Sequence, residues 1–336
     1  MRIALDAMGG DRAPGPIVAG AIQAVNAAPD VSVVLVGDRG QIEPLLAGQV
    51  ARDRLDVFHC AQVVGMDESP VDALRKKPDN SISRSWQLLA EKKVDAVVSA
   101  GNTGAVVAGG LRLRRFLKNV SRPGIATVMP TAKGLCVILD VGANVYPKPS
   151  HLFQYGVMGR IFAKHILQIE NPTIGLMNIG EEEGKGHELV QKTHELFGKS
   201  PLRPSFTGNI EGRDIHRGVC DVVVTDGFVG NVVLKLCEGV FEFIMKIVAK
   251  DVVATLPNDA QIAQRSLQGL IQRYHYSSFG GAPLLGIDGI CIICHGSSDE
   301  SAIRNAIGVA AQYARLKLNE KIVEELDAVA TDVDSD

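Results

Sequence analysis

The sequence lacks an apolar run long enough to cross a membrane. No charge-free apolar stretch among its 336 residues reaches the roughly 18 residues that a spanning helix needs. Residues 1–5 are followed at once by Asp6, so the start of the sequence has no apolar segment typical of a signal peptide. We therefore expect a cytoplasmic protein without a membrane-spanning helix.

An excess of basic residues is also missing. Lys and Arg total 35 and Asp and Glu total 38, so the formal net charge is −3. Proteins that bind nucleic acid over much of their surface usually carry net positive charge, so we expect no nucleic-acid partner. Two local basic clusters remain, at residues 75–84 and 112–122. Each is either a solvated face or a contact for an acidic partner or an anionic lipid.

Metal and disulfide chemistry have little support in the sequence. The spacing of Cys291, Cys294 and His295 matches a covalent haem attachment site. However, they fall in a strand-like run in which the two cysteines would face opposite sides. We expect no metal and no cofactor. Six cysteines lie scattered in apolar segments, which predicts buried free thiols: Cys60, Cys136, Cys220, Cys237, Cys291 and Cys294.

Common catalytic signatures fail on their spacing. Residues 180–186 read GEEEGKG, but three residues rather than four separate the first two glycines and no Ser or Thr follows Lys185. His187 and His194 are seven residues apart, which is too far for a zinc protease motif. The sequence contains neither a GxGxxG nucleotide fingerprint nor a GxSxG nucleophile elbow. These failures argue against a P-loop enzyme, a zinc protease and a serine hydrolase.

Short apolar runs alternate with helix-like stretches along most of the chain. The runs are nearly continuous in apolar residues, as strands buried on both faces are. This alternation predicts an α/β fold with a mostly parallel sheet. The sequence has no linker or sharp shift in composition, so we expect a single domain over residues 1–336. The predicted strands are residues 2–6, 32–36, 95–99, 135–140, 173–178, 221–225 and 290–294.

One region breaks this alternation. Residues 231–256 have apolar side chains near a period of 3.6 over a wide arc, which predicts a long helix. Pro257 ends it, and residues 260–274 are predicted as a second helix. This hairpin, residues 231–274, needs a partner, which is its own domain, another helix pair, a second subunit or a membrane surface. A last helix is predicted at residues 299–326.

Turns rich in Gly and Asn follow five of the predicted strands, at residues 6–11, 99–104, 140–144, 178–186 and 226–231. Carboxyl ends of parallel strands share one sheet edge, so we expect these turns to lie together. Glycines let backbone N–H groups approach an anion, and Asn and Thr add neutral hydrogen bonds. The pattern favours a phosphate or small-anion site, although Gly and Asn also end strands for steric reasons.

Three further polar features accompany these turns. Lys185, between two glycines, is either a cation placed over the anion site or a solvated loop lysine. Residues 206–214 form a polar loop that could close the pocket. The late segment at residues 295–298 follows a predicted strand, and Ser298 or Asp299 is expected to cap the last helix.

Seven segments together resemble the bacterial phosphate acyltransferases of phospholipid synthesis. They occur in order over nearly the whole chain, which makes the resemblance specific, and we see no departure from the family pattern within them. No match is claimed for residues 252–259. The segments are MRIALDAMGGD (1–11), SAGNTGA (99–105), LDVGAN (139–144), NIGEEEGKG (178–186), GNIEG (208–212), TDGFVGN (225–231) and GGAPLLGI (280–287).

The resemblance implies a fold, a reaction and partners. The implied fold is a three-layer α/β/α fold with a mostly parallel, Rossmann-like sheet, like that of phosphotransacetylases and isopropylmalate dehydrogenases, with a protruding helical hairpin. Inorganic phosphate attacks the thioester of an acylated acyl-carrier protein, which gives acyl phosphate and free carrier protein. A membrane acyltransferase then passes the acyl group to glycerol 3-phosphate. The family is homodimeric and attaches peripherally to the inner face of the cell membrane.

The implied chemistry needs no catalytic triad, because phosphate is already an anionic nucleophile and a thiol with a pKa of about 8.5 leaves readily. The site must orient phosphate and stabilise an oxyanion. We expect Lys185 to neutralise charge on phosphate or the oxyanion and Asn231 to donate a hydrogen bond. The expected substrate-binding residues are Gly10, Asn102, Thr103, Asn144, Asn178 and Asn209.

The resemblance also implies functions for the hairpin and for one of the basic clusters. Two hairpins would form a four-helix bundle in a dimer, and the apolar tip at residues 252–257 would touch lipid. The cluster at residues 112–122 would dock the acidic carrier protein. Two alternatives remain: a dehydrogenase of the isocitrate or isopropylmalate type, and a non-enzymatic lipid scaffold that leaves the Gly- and Asn-rich turns unused.

Overall fold

Eleven strands join into one sheet in the computed structural model, which describes residues 1–252, 262–263, 265–269 and 280–330. Their spatial order is β3-β2-β1-β4-β11-β10-β5-β6-β9-β7-β8. The strands are β1 (Arg2–Asp6), β2 (Ser32–Gly37), β3 (Leu55–His59), β4 (Ala96–Ser99), β5 (Gly124–Thr131), β6 (Gly134–Leu139), β7 (Ile174–Met177), β8 (Phe206–Ile210), β9 (Val222–Val224), β10 (Ala282–Leu285) and β11 (Ile290–Ile293).

Helices cover both faces of this sheet, which confirms the predicted α/β/α fold. One apolar layer includes Ile3 and Leu5 of β1, and the other includes Ala4 between them, as side chains alternate along a strand. The helices are α1 (Gly15–Ala27), α2 (Arg39–Leu46), α3 (Pro70–Lys76), α4 (Ser81–Ala90), α5 (Thr103–Leu113), α6 (Pro149–His165), α7 (Glu188–Lys199), α8 (Gly212–Arg217), α9 (Gly227–Ile247), α10 (Glu300–Arg315) and α11 (Leu318–Ala330).

The sheet is mostly parallel but consists of two sets of strands that run in opposite directions. Strands β1 to β4 and β11 are mutually parallel, and so are β6 to β9. Three antiparallel pairings, β11 with β10, β10 with β5 and β5 with β6, connect the sets. The turns after β1 and β4 therefore lie at the opposite edge from the turns after β6, β7 and β9. Our expectation of one shared edge is wrong, because β5 and β10 reverse the strand direction.

Helix α9 starts earlier than predicted. It begins at Gly227 and ends at Ile247, and Val248–Val252 continues as π-helical turns. Asp226 caps it by accepting the N–H groups of Phe228 and Val229 at 2.9 and 3.0 Å, which places Asn231 one turn inside the helix. Residues 262–263 and 265–269 are helical, within the predicted second arm. The predicted hairpin turn and most of that arm lie outside the described residues.

The last predicted helix is two helices. Lys317 has a left-handed φ of 52°, which ends α10 before α11 begins. Asp299, rather than Ser298, caps α10 by accepting the N–H of Ala302 at 2.8 Å. Among the residues that the structure describes, no helix is both long and apolar enough to span a bilayer.

Candidate active site

A cavity of about 150 Å³ opens on one face of the sheet, where the two sets of strands meet. Apolar side chains of the sheet and of the segment after β6 line its floor, including Ile125, Val141 and Ile293. The start of α5 and one face of α9 line its sides. Its polar lining consists of Thr103, Thr127, Asn231, Lys235, Glu238, His295 and Ser298. It is thus an apolar space with a few polar groups around it, which is typical of small-molecule sites.

Two helix N-termini meet at one end of the cavity. Thr103 is the first residue of α5, and Ala302 lies in the first turn of α10; both line the cavity. Exposed N–H groups and the helix dipole give such ends a partial positive charge. This end of the cavity therefore favours an anion.

Asn102 supports this end of the cavity through hydrogen bonds to the backbone, and its side chain does not line the cavity. Its Oδ1 accepts the N–H of Ala105 at 3.0 Å and so caps α5. Its Nδ2 donates to the carbonyl oxygens of Gly65, Met66 and Glu68 at 3.2, 3.1 and 3.0 Å. Because these bonds use both amide protons, Asn102 positions Thr103 and fixes residues 65–68. Asn102 therefore has no amide proton left for the direct contact with a substrate that we expected from the sequence.

The turn that contains Gly10 packs beside this end. A Cβ on Gly9 would lie 2.5 Å from the backbone nitrogen of Gly101, so the turns after β1 and β4 touch through backbone. Gly10 has a φ of +111°, and the next residue, Asp11, donates its N–H to the carbonyl of Gly296 at 2.8 Å. Gly10 therefore joins the turn after β1 to the turn after β11, and it does not line the cavity.

A buried carboxylate holds the turn after β6 at the other edge. Asp140 accepts the N–H groups of Ile125, Ala143 and Asn144 at 2.9, 2.9 and 2.7 Å. Burial raises the pKa of Asp140, and these donors oppose the shift. The amide of Asn144 donates to the carbonyl of Pro123 at 2.6 Å and to the hydroxyl of Tyr155 at 2.7 Å. Asn144 therefore braces the fold and does not line the cavity.

Asn231 is exposed on the α9 wall of the cavity. Its side chain has no hydrogen-bond partner among the residues that the structure describes, so both its donor and its acceptor can serve a ligand. One turn further along, Lys235 forms an ion pair of 2.8 Å with Glu238. Asn231 is therefore an uncharged polar residue on this wall, and the two charged residues next to it neutralise each other.

Lys185 lies on an ordered loop at the same sheet edge as the start of α9. Asn178 donates to the carbonyl of Lys185 at 3.0 Å, and the buried Asn209 donates to the carbonyl of Glu182 at 2.9 Å. Both amides thus support the loop from within. The Lys185 side chain is exposed and forms no ion pair within the described part of the chain. It does not line the cavity.

In the structure the eight predicted site residues therefore fall into three groups. Thr103 and Asn231 line the cavity from opposite edges of the sheet. The residues that support the surrounding loops are Gly10, Asn102, Asn144, Asn178 and Asn209, and Lys185 is exposed nearby. Sequence reasoning missed His295, Ser298 and the Lys235–Glu238 pair as cavity residues. The signal for the first two was a polar segment directly after a buried strand.

Sequence comparison assigns the chain to a family. The family model described as fatty acid synthesis protein matches residues 1–321. A phosphate acyltransferase of Heliobacterium modesticaldum is 49% identical over 93% of this chain and 93% of that protein. A phosphate acyltransferase of Geotalea daltonii is 43% identical over 97% of this chain and 94% of that protein. The chain belongs to the phosphate acyltransferases of the fatty acid synthesis family.

Solved structures with the same architecture are more distant in sequence. A phosphotransacetylase from Streptococcus pyogenes has a TM-score of 0.63 at 18% identity and covers 94% of each chain. A 4-hydroxythreonine-4-phosphate dehydrogenase from Klebsiella pneumoniae has a TM-score of 0.52 at 14% identity, covering 94% of this chain and 99% of the other. These likenesses show the fold alone and confirm its resemblance to phosphotransacetylases. The enzyme's family identifies phosphate as a substrate, which removes the support for the dehydrogenase and scaffold alternatives.

Proposed function

We propose that the enzyme transfers a fatty acyl group from the thioester of an acyl-carrier protein to inorganic phosphate within the cavity between α5 and α9. The observation that supports this most directly is an apolar cavity with two helix N-termini at one end and Asn231 on its wall. An anion is favoured at the helix ends. The apolar floor suits the first carbons of an acyl chain.

The size of the cavity limits what it holds. At about 150 Å³, it is smaller than the roughly 300 Å³ at the lower end of common ligand pockets. It has room for phosphate and the thioester group, whereas a long acyl chain must continue outside it. In this proposal the reacting atoms occupy the cavity and the remainder of both substrates approaches from its open side.

The reaction is balanced without a cofactor. An oxygen of HPO4²⁻ forms a bond to the thioester carbon, and the carbon–sulfur bond breaks with its electron pair leaving on sulfur. The proton of the phosphate passes to the thiolate, so the products are acyl phosphate and a free thiol. The protein must orient the two substrates and stabilise the negative charge that develops on the carbonyl oxygen.

Thr103, Ser298 and the N–H groups at the start of α5 are proposed to hold the phosphate, and Asn231 to donate a hydrogen bond to the substrates. Lys185 remains our proposed cation for the phosphate or the oxyanion. Its support is an exposed ammonium without an ion pair among the described residues, on the edge where α9 begins. Asn178 and Asn209 are proposed to hold its loop.

A second copy of the chain is the proposed partner of α9. In the described part of the chain, Gly227 and Gly230 are the only buried residues of this helix. Phe228, Leu236 and Phe243 are 62%, 64% and 63% exposed along one face. Packing this stripe against the same stripe of a second copy would remove apolar surface from water and so stabilise a dimer. The hairpin tip at residues 252–257, which lies outside the described side chains, is the proposed contact with the membrane.

Arg112 and Arg114 are the proposed dock for the acidic carrier protein. Both are exposed and have no ion pair in the described ranges, whereas three residues of the other basic cluster form ion pairs: Arg75 with Asp72, Lys77 with Glu68 and Arg84 with Asp79. The two arginines lie at the far end of α5 from Thr103. The 11 residues of α5 span about 16 Å at the usual rise, so the carrier would dock about that far from the cavity.

The location proposed for the enzyme follows from its product. Acyl phosphate is a reactive anhydride, and a membrane glycerol-3-phosphate acyltransferase is its proposed consumer. Peripheral attachment to the cytoplasmic face of the membrane would shorten the path between the two enzymes.

A turnover assay tests the proposed reaction. Purified protein is mixed with palmitoyl-carrier protein, and free carrier thiol is measured with phosphate present and omitted. We expect phosphate-dependent thiol release and an acyl phosphate that hydroxylamine traps. Release that does not depend on phosphate would mean a thioesterase. Absence of release with every acyl length would contradict the proposal.

A further inference from the structure

Thr127 is a polar residue on the otherwise apolar floor of the cavity, and our sequence analysis gave it no role. It belongs to β5 and lines the cavity together with Ile125 of the same strand. It pairs with Ile138 of β6, and both isoleucines lie in the apolar layer against which α9 packs. Side chains two residues apart on a strand, or opposite each other on neighbouring strands, point to the same face of a sheet. The side chain of Thr127 therefore projects toward α9 and the cavity.

The start of α9 lies near the first residues of β5. The carboxylate of Asp140 accepts the N–H of Ile125 at 2.9 Å. The carbonyl oxygen of the same Asp140 lies against Gly230. Gly230 is therefore close to Ile125, and Asn231, which follows it, lies near the amino end of the strand.

The middle of α9 lies near the other end of β5. Nδ1 of His216 is 3.2 Å from the carbonyl oxygen of Pro130, and Nε2 of the same ring is 3.4 Å from Sγ of Cys237. One histidine thus connects the end of the strand to the middle of the helix. Helix and strand therefore run in the same direction, and Thr127 lies beneath the stretch of α9 that begins at Asn231.

The other side of Thr127 faces the end of the cavity that favours an anion. By the register of β5 and β10, Ala282 lies beside Thr127. Ala282 pairs with Ile293 of β11, which pairs with Ser99 at the end of β4. Helix α5 begins shortly after Ser99. Thr127 therefore lies on the floor between Asn231 and the helix N-termini, which is where the thioester must be if phosphate is held at those termini.

The hydroxyl of Thr127 is available to a ligand. Two buried side-chain polar atoms lack a hydrogen-bond partner in the described part of the chain, Nε of Arg160 and Oδ1 of Asn209. The Thr127 hydroxyl also has no partner there, but it is not one of these sealed atoms, so it faces open space. The space that Thr127 lines is the cavity. A hydroxyl can rotate its proton toward an oxygen that is placed beside it.

We propose that Thr127 is a catalytic residue whose hydroxyl donates a hydrogen bond to the thioester carbonyl oxygen, opposite Asn231 on the α9 wall. This inference rests on the proposed acyl transfer from a thioester to phosphate. An oxygen of hydrogen phosphate forms a bond to the carbonyl carbon, and the carbonyl π electrons move onto oxygen. They return as the carbon–sulfur bond breaks with its electron pair leaving on sulfur. The proton of the phosphate ends on the thiol, and the proton of Thr127 stays on its hydroxyl throughout.

The fold does not need a hydroxyl at this place. The residues beside Thr127 on this face of the sheet are apolar, namely Ile125, Ile138 and Ala282. Valine has the same β-branched shape as threonine and suits a strand equally well. A donor held in place beside developing charge costs no reorganisation during the reaction, and removing one such donor usually lowers kcat by about 10² to 10³. The loss of the hydroxyl should therefore affect catalysis rather than stability.

Substitutions of Thr127 separate this role from a structural one. We expect Thr127→Val to lower kcat by about 10² to 10³, with the KM for phosphate nearly unchanged and the melting temperature not lowered. Thr127→Ser keeps the hydroxyl and should retain most of the turnover. The matched control is Thr207→Val, which changes an exposed threonine on β8 at the far end of the sheet. The control should turn over like the wild type.

Three outcomes would overturn the inference. A kcat of Thr127→Val close to that of the wild type would show that the hydroxyl does not act on the carbonyl oxygen. A raised KM for phosphate with an unchanged kcat would place the hydroxyl on phosphate instead. Equal losses in the Val and Ser variants, with lowered melting temperatures, would assign Thr127 to the fold. Failure of the proposed function is distinguishable, because the wild type itself would then show no phosphate-dependent thiol release.

Discussion

The carbonyl oxygen of Asp140 lies 1.9 Å from the point where a Cβ at position 230 would be. Glycine is therefore the one residue that lets the start of α9 pass over the turn after β6. The carboxylate of the same Asp140 is bound by the N–H of Ile125 at 2.9 Å, so this oxygen cannot easily move away. The contact sets the position of Asn231, the next residue, on the wall of the cavity.

Substitution of Gly230 by alanine should destabilise the enzyme and lower its activity. We expect a loss of about 3 kcal/mol in the free energy of unfolding, the upper part of the range for overpacking, because the obstacle is backbone. Thermal unfolding and turnover measure the two effects. Gly308→Ala in α10 is the control, since nothing lies within 4 Å of its Cβ. It should raise stability by up to about 1 kcal/mol. Equal stability of the two variants would contradict the close contact.

Replacing Asn231 by aspartate should harm the reaction more than replacing it by alanine. Alanine removes a proposed donor, whereas aspartate also places a negative charge beside an anionic substrate. We expect kcat/KM for phosphate to fall by about 10² in Asn231→Ala and further in Asn231→Asp. Phosphate titrations of turnover give these values. Asn26→Asp, on the exposed side of α1, carries the same charge change and should leave them unaltered. Equal effects of the two Asn231 variants would place the phosphate elsewhere.

Removal of the Lys185 ammonium should lower turnover without loss of stability. The side chain is exposed, and its loop is held by Asn178 and Asn209 through backbone carbonyls that alanine retains. We expect Lys185→Ala to lower kcat by about 10², as for a group that stabilises transition-state charge. Lys192→Ala, which breaks an exposed ion pair with Glu188 at the start of α7, is the control. If Lys185→Ala turned over at nearly the rate of the wild type, the proposed role of Lys185 would be contradicted.

The sequence predicted the α/β/α fold and the wide apolar arc of α9, but the expectation that the Gly- and Asn-rich turns share one edge of the sheet was wrong. Four strands, β3, β5, β8 and β10, were not predicted. Among them, β5 and β10 contain Pro130 and Pro283, and β8 contains Gly208 with a φ of +105°, so none reads as a continuous apolar run. Since β5 and β10 reverse the strand direction, the turns fall on two edges rather than one.

Which polar side chains reach the cavity could not be read from residue type. Asn102, Asn144 and Asn231 all follow strands in similar Gly-rich turns. The first two use their amides on carbonyl groups of neighbouring loops, and the third lines the cavity without a partner among the described residues. That difference depends on which loops pack together, and tertiary structure alone decides it. His295 escaped for the same reason.

A charge in the apolar stripe of α9 should separate the proposed dimer. Leu236 and Phe243 are more than half exposed in the single chain, so glutamate there costs little in a monomer but is buried unpaired in a dimer. We expect Leu236→Glu and Phe243→Glu to shift the enzyme from dimer to monomer in sedimentation experiments. Asn26→Asp is again a suitable surface control. A wild type that sediments as a monomer, or glutamate variants that stay dimeric, would rule out this face as the interface.

Five of the six cysteines should be inert toward thiol reagents in the folded enzyme. Burial raises the pKa of Cys60, Cys136, Cys220 and Cys294 to about 12, and it also raises the pKa of the fully buried Cys291. The reactive form is the thiolate, which is scarce at pH 8 under these conditions. Cys237 is half-buried.

A chromogenic disulfide reagent at pH 8 checks this directly. We expect the native enzyme to react slowly at one thiol, which Cys237→Ser abolishes, and the unfolded chain to react at all six. Rapid reaction of two or more thiols in the native enzyme would contradict the burial of the sheet cysteines. The expected result also permits carrier thiol to be measured during turnover with little contribution from the enzyme itself, and Cys237→Ser removes what remains.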